Sequence, residues 1–328
     1  MLGSQEPLLS VIGAINWDVS IFEDRFARPG EEVRVSSVEE FSGGKGANAA
    51  VAAARILGGG RVACLGALGD DAIGRSQLTD LEEEGVVVDG IVKVKGSQSG
   101  KAYVLIDPEG RKTIHTHFGA NTKISPSDIE RDGCARVIGR TDTMVVMDPP
   151  TEVASCAADA ARRAGARVIY SPGVRTQEGA SALARALDKA DFLVVDGIEL
   201  MNLYAADNAE GALGKAKKHL PGLTVVVTLG SDGCMVAKGG SVARVPGIQA
   251  STLGRKVLNT TGCGDAFLGV FASYLHQGKG SLKSARWANL AGAIKATRLE
   301  TRGSPTRREL ERAARNLNPG SPTRPEGR

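Results

Sequence analysis

Short β-type runs that alternate with alanine-rich helical runs restrict most strongly how this chain can fold. Leu8–Ile15 reads as a buried strand, Ala47–Leu57 as a helix, Val62–Leu65 as a strand and Gly74–Glu84 as a helix. The rhythm returns with a strand at Met144–Met147, a helix at Glu152–Ala164 and a strand at Arg167–Tyr170. A helix at Ser181–Ala190, a strand at Phe192–Val195, a helix at Glu210–His219 and a strand at Thr224–Leu229 follow. Helices at Ala266–Gln277 and Ala285–Arg298 complete the series. Strands alternating with helices imply parallel βαβ units, hence a sheet covered on both faces. Two stretches break the pattern. Asp18–Phe41 is polar with strand-like pieces, and Gly100–Phe118 holds two runs joined by Asp107-Pro108-Glu109-Gly110, a good hairpin turn. Neither carries a helix to cover it. Segments at about 16–42 and 98–118 are therefore expected to form a small β lid inserted in one domain spanning 1–317. The Pro/Gly/Arg-rich end, 318–328, is expected to be a disordered tail.

Composition narrows the functions. Of 328 residues, 42% are hydrophobic and 24% charged, which suits a globular enzyme and excludes a collagenous or wholly disordered chain. Aromatic residues make up only 4%, too few for a stacking surface that binds single-stranded nucleic acid. Much of the net charge of +4 falls between Thr301 and Arg328, so the basic balance needs no nucleic-acid partner. The five cysteines form no CxxC pair, and the N-terminus lacks the basic-then-apolar order of a secretory signal. No apolar run reaches the length of a membrane span, and a cytoplasmic location is expected.

Three local patterns can carry chemistry. In Asn259-Thr260-Thr261-Gly262-Cys263-Gly264-Asp265, a glycine-rich turn leads into a helix. The first-turn N–H groups of a helix lack internal acceptors and attract anions. This loop can hold a migrating phosphoryl group while Asp265 accepts a hydroxyl proton, although an Asp-capped turn would look the same. In Phe41-Ser42-Gly43-Gly44-Lys45-Gly46-Ala47-Asn48, glycines again precede a helix, and Lys45 and Asn48 add a charge and an amide suited to a polyol. The spacing is not that of a P-loop, and a tightly packed alanine helix would explain it equally. Asn16-Trp17-Asp18 follows the first strand, where an open α/β sheet binds ligands. A solvated loop acid is the simpler reading of that tripeptide alone. His115 and His117 alternate on the second hairpin strand and share a face toward substrate or a partner lid. Trp17 is expected to pack in the core, with packing against the lid or over the sugar ring as the alternatives.

Taken together, Asn16-x-Asp18, GGKGAN at Gly43–Asn48 and TGCGD at Thr261–Asp265 resemble the ribokinase (PfkB-type) family of carbohydrate kinases, over about Leu8 to Pro305. The resemblance implies a ribokinase-like α/β fold: a central, mostly parallel sheet flanked by helices, with a small inserted β-sheet lid. It implies transfer of the γ-phosphate of ATP to a sugar hydroxyl with Mg²⁺, ribose being favoured. A nucleoside, fructose or a sugar phosphate is the alternative acceptor, and a non-catalytic sugar sensor a distant one. Asp265 falls at the catalytic base and Gly262, Cys263 and Gly264 at the anion hole. Asn16, Asp18, Gly43, Gly44, Lys45, Asn48 and Asp148 fall at sugar-binding positions. Asp196, Thr228, Gly230, Ser231, Gly233 and Asn289 fall on the nucleotide side, with Glu199 reaching Mg²⁺ through water. Asn259, Thr261 and Ser304 fall where many members hold a monovalent cation such as K⁺, but Asn259 replaces the usual Asp. Apart from the resemblance, a lid edge strand that pairs with its mate would give a homodimer through the lid.

Overall fold

The computed structural model describes residues 7–317; the expected tail lies outside them. Among the described residues, thirteen strands form two sheets. The large sheet contains β1 (Leu8–Gly13), β4 (Val62–Gly69), β5 (Val86–Val94), β8 (Thr141–Met147), β9 (Arg167–Ser171) and β10 (Phe192–Asp196). It continues with β11 (Thr224–Thr228), β12 (Gly233–Lys238) and β13 (Ser241–Pro246). Its order is β13-β12-β11-β10-β9-β8-β1-β4-β5. All its pairings are parallel except the last two, β11–β12 and β12–β13. This is the expected mostly parallel sheet.

Burial on both faces explains why these strands lack polar alternation. In β1, Leu8 and Ile12 enter one core while Leu9 and Val11 enter the other, all essentially inaccessible to solvent. The second core is sealed by helices Lys45–Leu57 and Cys263–His276. A Cβ on Gly269 would lie 2.4 Å from the Ala49 carbonyl, so only glycine lets these two helices approach so closely.

The small sheet has the order β3-β2-β6-β7, from β2 (Asn16–Glu23), β3 (Val35–Gly43), β6 (Gly100–Ile106) and β7 (Lys112–His117). These strands fall in the two stretches that break the α/β rhythm.

Several local expectations are corrected. Ser181–Ala190 is not one helix but two short ones, Gly179–Ala182 and Ala184–Leu187. Trp17 is not a core residue: β2 turns Asn16 and Asp18 inward, and the Trp17 indole donates to Glu40 Oε2 at 2.6 Å on the other face. On β7, Lys112 and Ile114 line the cleft, which leaves the exposed His115 and His117 on the opposite face, away from substrate though still free to meet a partner lid.

Candidate active site

Strand order reverses between β1 and β8, and the polar residues gather at the carboxyl ends around this point, where open α/β sheets bind ligands. Asn16 and Asp18 follow β1, Asp148 follows β8, Asp196 ends β10 and Thr228 ends β11. Two cavities adjoin here, sharing Thr228, Thr260 and Gly264. One, about 420 Å³, is lined by Lys45, Lys112, Asp196, Glu199, Gly262, Gly264 and Asp265. The other, about 300 Å³, takes in Gly230, Ser231, Gly233, Cys263, Phe267 and Asn289. The glycine-rich loop thus forms the wall between a compartment lined by charged side chains and one lined by none.

Gly262 caps the helix Cys263–His276 with φ of 84°, a conformation glycine adopts without strain. Asp265 is in the first turn and buried, and Asn48 Nδ2 donates to its Oδ2 at 2.8 Å. The two glycine motifs, 217 residues apart, therefore meet directly. Burial pushes the Asp265 carboxyl above the ordinary carboxylate value, against the pull of the Asn48 hydrogen bond and the Lys45 charge. First-turn donors alone predict the opposite direction. The Cys263 amide is partly committed to the loop, donating to Thr260 O at 3.2 Å. Its thiol is raised by burial, not lowered by its place at a helix start.

Asp18 is also buried, and desolvation raises its pKa to about 6, with Asp265 adding to the shift and Thr301 and Arg302 opposing it. A carboxylate held above its ordinary 3.8 costs folding stability as pH rises through the window from that value to about 6. Lys45 Nζ pairs with Asp148 Oδ2 at 3.1 Å. Burial works against the Lys45 charge, but Asp148, Asp265 and Glu199 more than offset it and hold its pKa above the ordinary value. Asp148 adopts φ of 45°, unusual for a non-glycine residue and a form of strain that clusters at functional sites. Its carboxylate is thereby aimed at Lys45.

Asp196 and Glu199 form a reciprocal capping box at the start of helix Gly197–Tyr204. Burial and the neighbouring Asp196 raise the Glu199 carboxyl. Asn289 lines the second cavity, but its amide is bonded to the carbonyls of Val245 and Pro246. Among the described residues no cluster of three or more His, Cys, Asp or Glu could hold a metal by itself.

Two supporting residues escaped sequence reasoning. Arg302, counted there as part of a basic tail, is buried: one of its terminal nitrogens donates to Gly43 O and Gln77 Oε1, each at 2.9 Å, and its Nε lies 3.5 Å from Asn48 Oδ1. A guanidinium only donates, so it holds the Asn48 oxygen toward itself and the Asn48 NH₂ toward Asp265. Asn121 clamps the β1–β2 turn, accepting from Ile15 N and donating to Ile15 O and to Asn16 Oδ1. Neither carries a periodic or glycine signal; only pairing in space reveals them.

Fold and cleft define a phosphotransferase that acts on a sugar hydroxyl. Residues 6–307 match the model of the pfkB family of carbohydrate kinases, and the chain belongs to that family. It is 28% identical to the Haemophilus influenzae ribokinase over 303 residues, 92% of this chain and 96% of that one. It is 30% identical to an ATP-dependent ribose-1-phosphate kinase of Halopiger xanaduensis over 296 residues, 90% and 93% of the two chains. The structure of Arabidopsis thaliana ribokinase complexed with ribose and ATP superposes with a TM-score of 0.81 at 26% identity, covering 95% of this chain and 99% of that one. The ribokinase-like fold expected from the motifs is therefore present.

Proposed function

We propose that this chain phosphorylates ribose with ATP, using Asp265 as the base. The observation that carries the reading is the Asn48–Asp265 hydrogen bond, which fixes a buried carboxylate in the wall of the larger of two adjoining cavities. The similarity to ribokinases across nearly the whole chain supports the choice of acceptor. The sugar lies against Asn16, Asp18, Gly43, Gly44, Lys45 and Asn48, with Asp148 keeping Lys45 in place. The nucleotide lies along Thr228, Gly230, Ser231 and Gly233, past Asn289. Its γ-phosphate faces the Gly262–Gly264 loop, with Lys112 above it: Lys112 Nζ donates to Thr261 Oγ1 at 3.1 Å. Asp265, its pKa raised toward the working range of a base, takes the proton of the attacking hydroxyl. The paired oxygens of Asp196 and Glu199 suit Mg²⁺, which takes one or two carboxylates and leaves the remaining positions to phosphates and water. Mg²⁺ bound with the nucleotide supplies charge neutralisation on the phosphates. We further propose a cytoplasmic enzyme, one kinase domain over 1–317, and a homodimer through the small sheet, where Val35 and Val38 are exposed on an edge strand. Among the described residues no helix is long and apolar enough to cross a membrane.

Lys112 over the cleft also favours a second reading, a phosphorylated ribose as acceptor. A coupled assay with ATP and Mg²⁺ over ribose, ribose 1-phosphate, fructose and inosine separates them. The expected result is a kcat/KM for ribose at least roughly tenfold above the others, the factor that about 1.4 kcal/mol of differential transition-state binding gives. Preference for inosine, or tight sugar binding with no product, overturns the reading.

Because Asp18 titrates near 6, the acceptor KM should be flat above neutral pH and rise about tenfold per pH unit below about 6. Asp18→Asn should give a raised KM without that slope. A wild-type KM unchanged down to pH 5 removes Asp18 from acceptor binding.

A further inference from the structure

Lys295 is fully buried on helix Ser281–Ala296, directly beneath the phosphate loop. Its Nζ donates to Asn259 O at 2.9 Å and lies 3.5 Å from Arg298 O. A Cβ placed on Gly262 would be 3.4 Å from its Cε. A lysine with no solvent exposure is held here by carbonyl oxygens, the kind of donor a monovalent cation uses.

The positions that the family resemblance assigns to such a cation do not fit one. The Asn259 carbonyl is taken by Lys295, and the Asn259 amide donates to Leu299 O at 2.7 Å, which an aspartate could not do. Thr261 Oγ1 accepts from Lys112. Ser304 O accepts from Arg55 at 2.6 Å and Arg298 at 3.1 Å. A potassium ion in this place would meet two ammonium and two guanidinium groups instead of free oxygens.

We propose that the Lys295 ammonium is a built-in cation that holds the phosphate loop in shape, so that the enzyme needs no K⁺. Holding the Asn259 carbonyl fixes the Asn259–Thr260 peptide plane, and the Thr260 carbonyl accepts from the Cys263 amide. The restraint thus passes from Lys295 to the first turn of the helix that carries Asp265. Burial presses Lys295 toward its neutral form, while Cys263 and Asp265 favour the charge. Lys295 touches neither cavity and acts as a positioning residue.

The activity arm of the test rests on the kinase reading; the melting arm does not. Wild-type enzyme should show the same kcat, within about twofold, and the same melting temperature in KCl and in tetramethylammonium chloride of equal ionic strength. Lys295→Ala should lose roughly 10²-fold in kcat without K⁺ and recover much of it, with a higher melting temperature, in KCl or NH₄Cl. Lys295→Met, which fills the space without the charge, should lose activity and show no rescue. Wild-type activation of roughly tenfold by K⁺, a wild-type melting temperature raised specifically by K⁺, or a fully active Lys295→Met overturns the proposal. If no acceptor is phosphorylated at all, the kinase reading fails, and the melting curves of wild type and Lys295→Ala still decide the role of Lys295.

Discussion

Asp265→Asn is expected to lower kcat roughly 10²–10⁴-fold, the range for removal of a general base. The fold should survive. The substitution removes a buried negative charge that is costly to desolvate. The new amide oxygen can still accept from Asn48 Nδ2, which now bonds Asp265 at 2.8 Å. Lys45 keeps its closer partner Asp148 at 3.1 Å. The melting temperature should therefore hold or rise, and the acceptor KM should change only a few-fold. Single-turnover kinetics with saturating ATP read the chemical step directly. A variant that turns over at the wild-type rate ends the assignment of Asp265 as base.

Gly43→Ala is expected to damage the acceptor side selectively. A Cβ on Gly43 would sit 2.1 Å from Asp18 Oδ2 and 2.2 Å from its Cγ. No real carbon approaches so closely, so either the carboxylate swings away or the β2–β3 pairing opens. The Gly43 carbonyl is tied to Arg302, which limits how far the backbone can retreat. The acceptor KM should rise roughly 10- to 10²-fold, as for loss of a hydrogen bond to a charged group. The stability loss should be about 1–3 kcal/mol, typical of overpacking. ADP affinity, measured by calorimetry, should change little because the nucleotide-side cavity is lined by other residues. In an Asp18→Ala background the same substitution should have almost no further effect on KM, since the atoms it strikes are gone. Additive losses in the double variant would place the damage elsewhere.

The α/β core and the meeting of the two glycine motifs were legible because each rests on a local rule. Buried parallel strands must be continuous apolar runs, and a phosphate loop must be glycine followed by a helix. Where the local rule weakens, reading falters. β5 is an edge strand with Gly90 and Asp89 inside it and is partly exposed, so its apolar run is broken. The β12–β13 hairpin turns at Gly239–Gly240, a signal that was present but went unused beside the stronger helical pattern that follows. Arg302 and Lys295 were hidden for another reason. Charge counting treats every basic residue as solvated, and nothing local marks the two that tertiary packing surrounds with carbonyls and amides. The cation site is a related case: Asn259 marks a departure in the sequence, but the proposed compensation by Lys295 lies on a different helix.

The joints between the two sheets have a consequence for how acceptor choice can change. β1 ends at Gly13 and β2 begins at Asn16; β3 ends at Gly43 and the next helix begins at Lys45. The residues proposed to face the acceptor are thus themselves the axle on which the small sheet is mounted. Any tilt of that sheet re-aims Asn16 and Asp18 in the same movement, so on the proposed reading selectivity and gating would share one set of bonds. Transplanting the small sheet from a relative should carry half of the acceptor pocket with it.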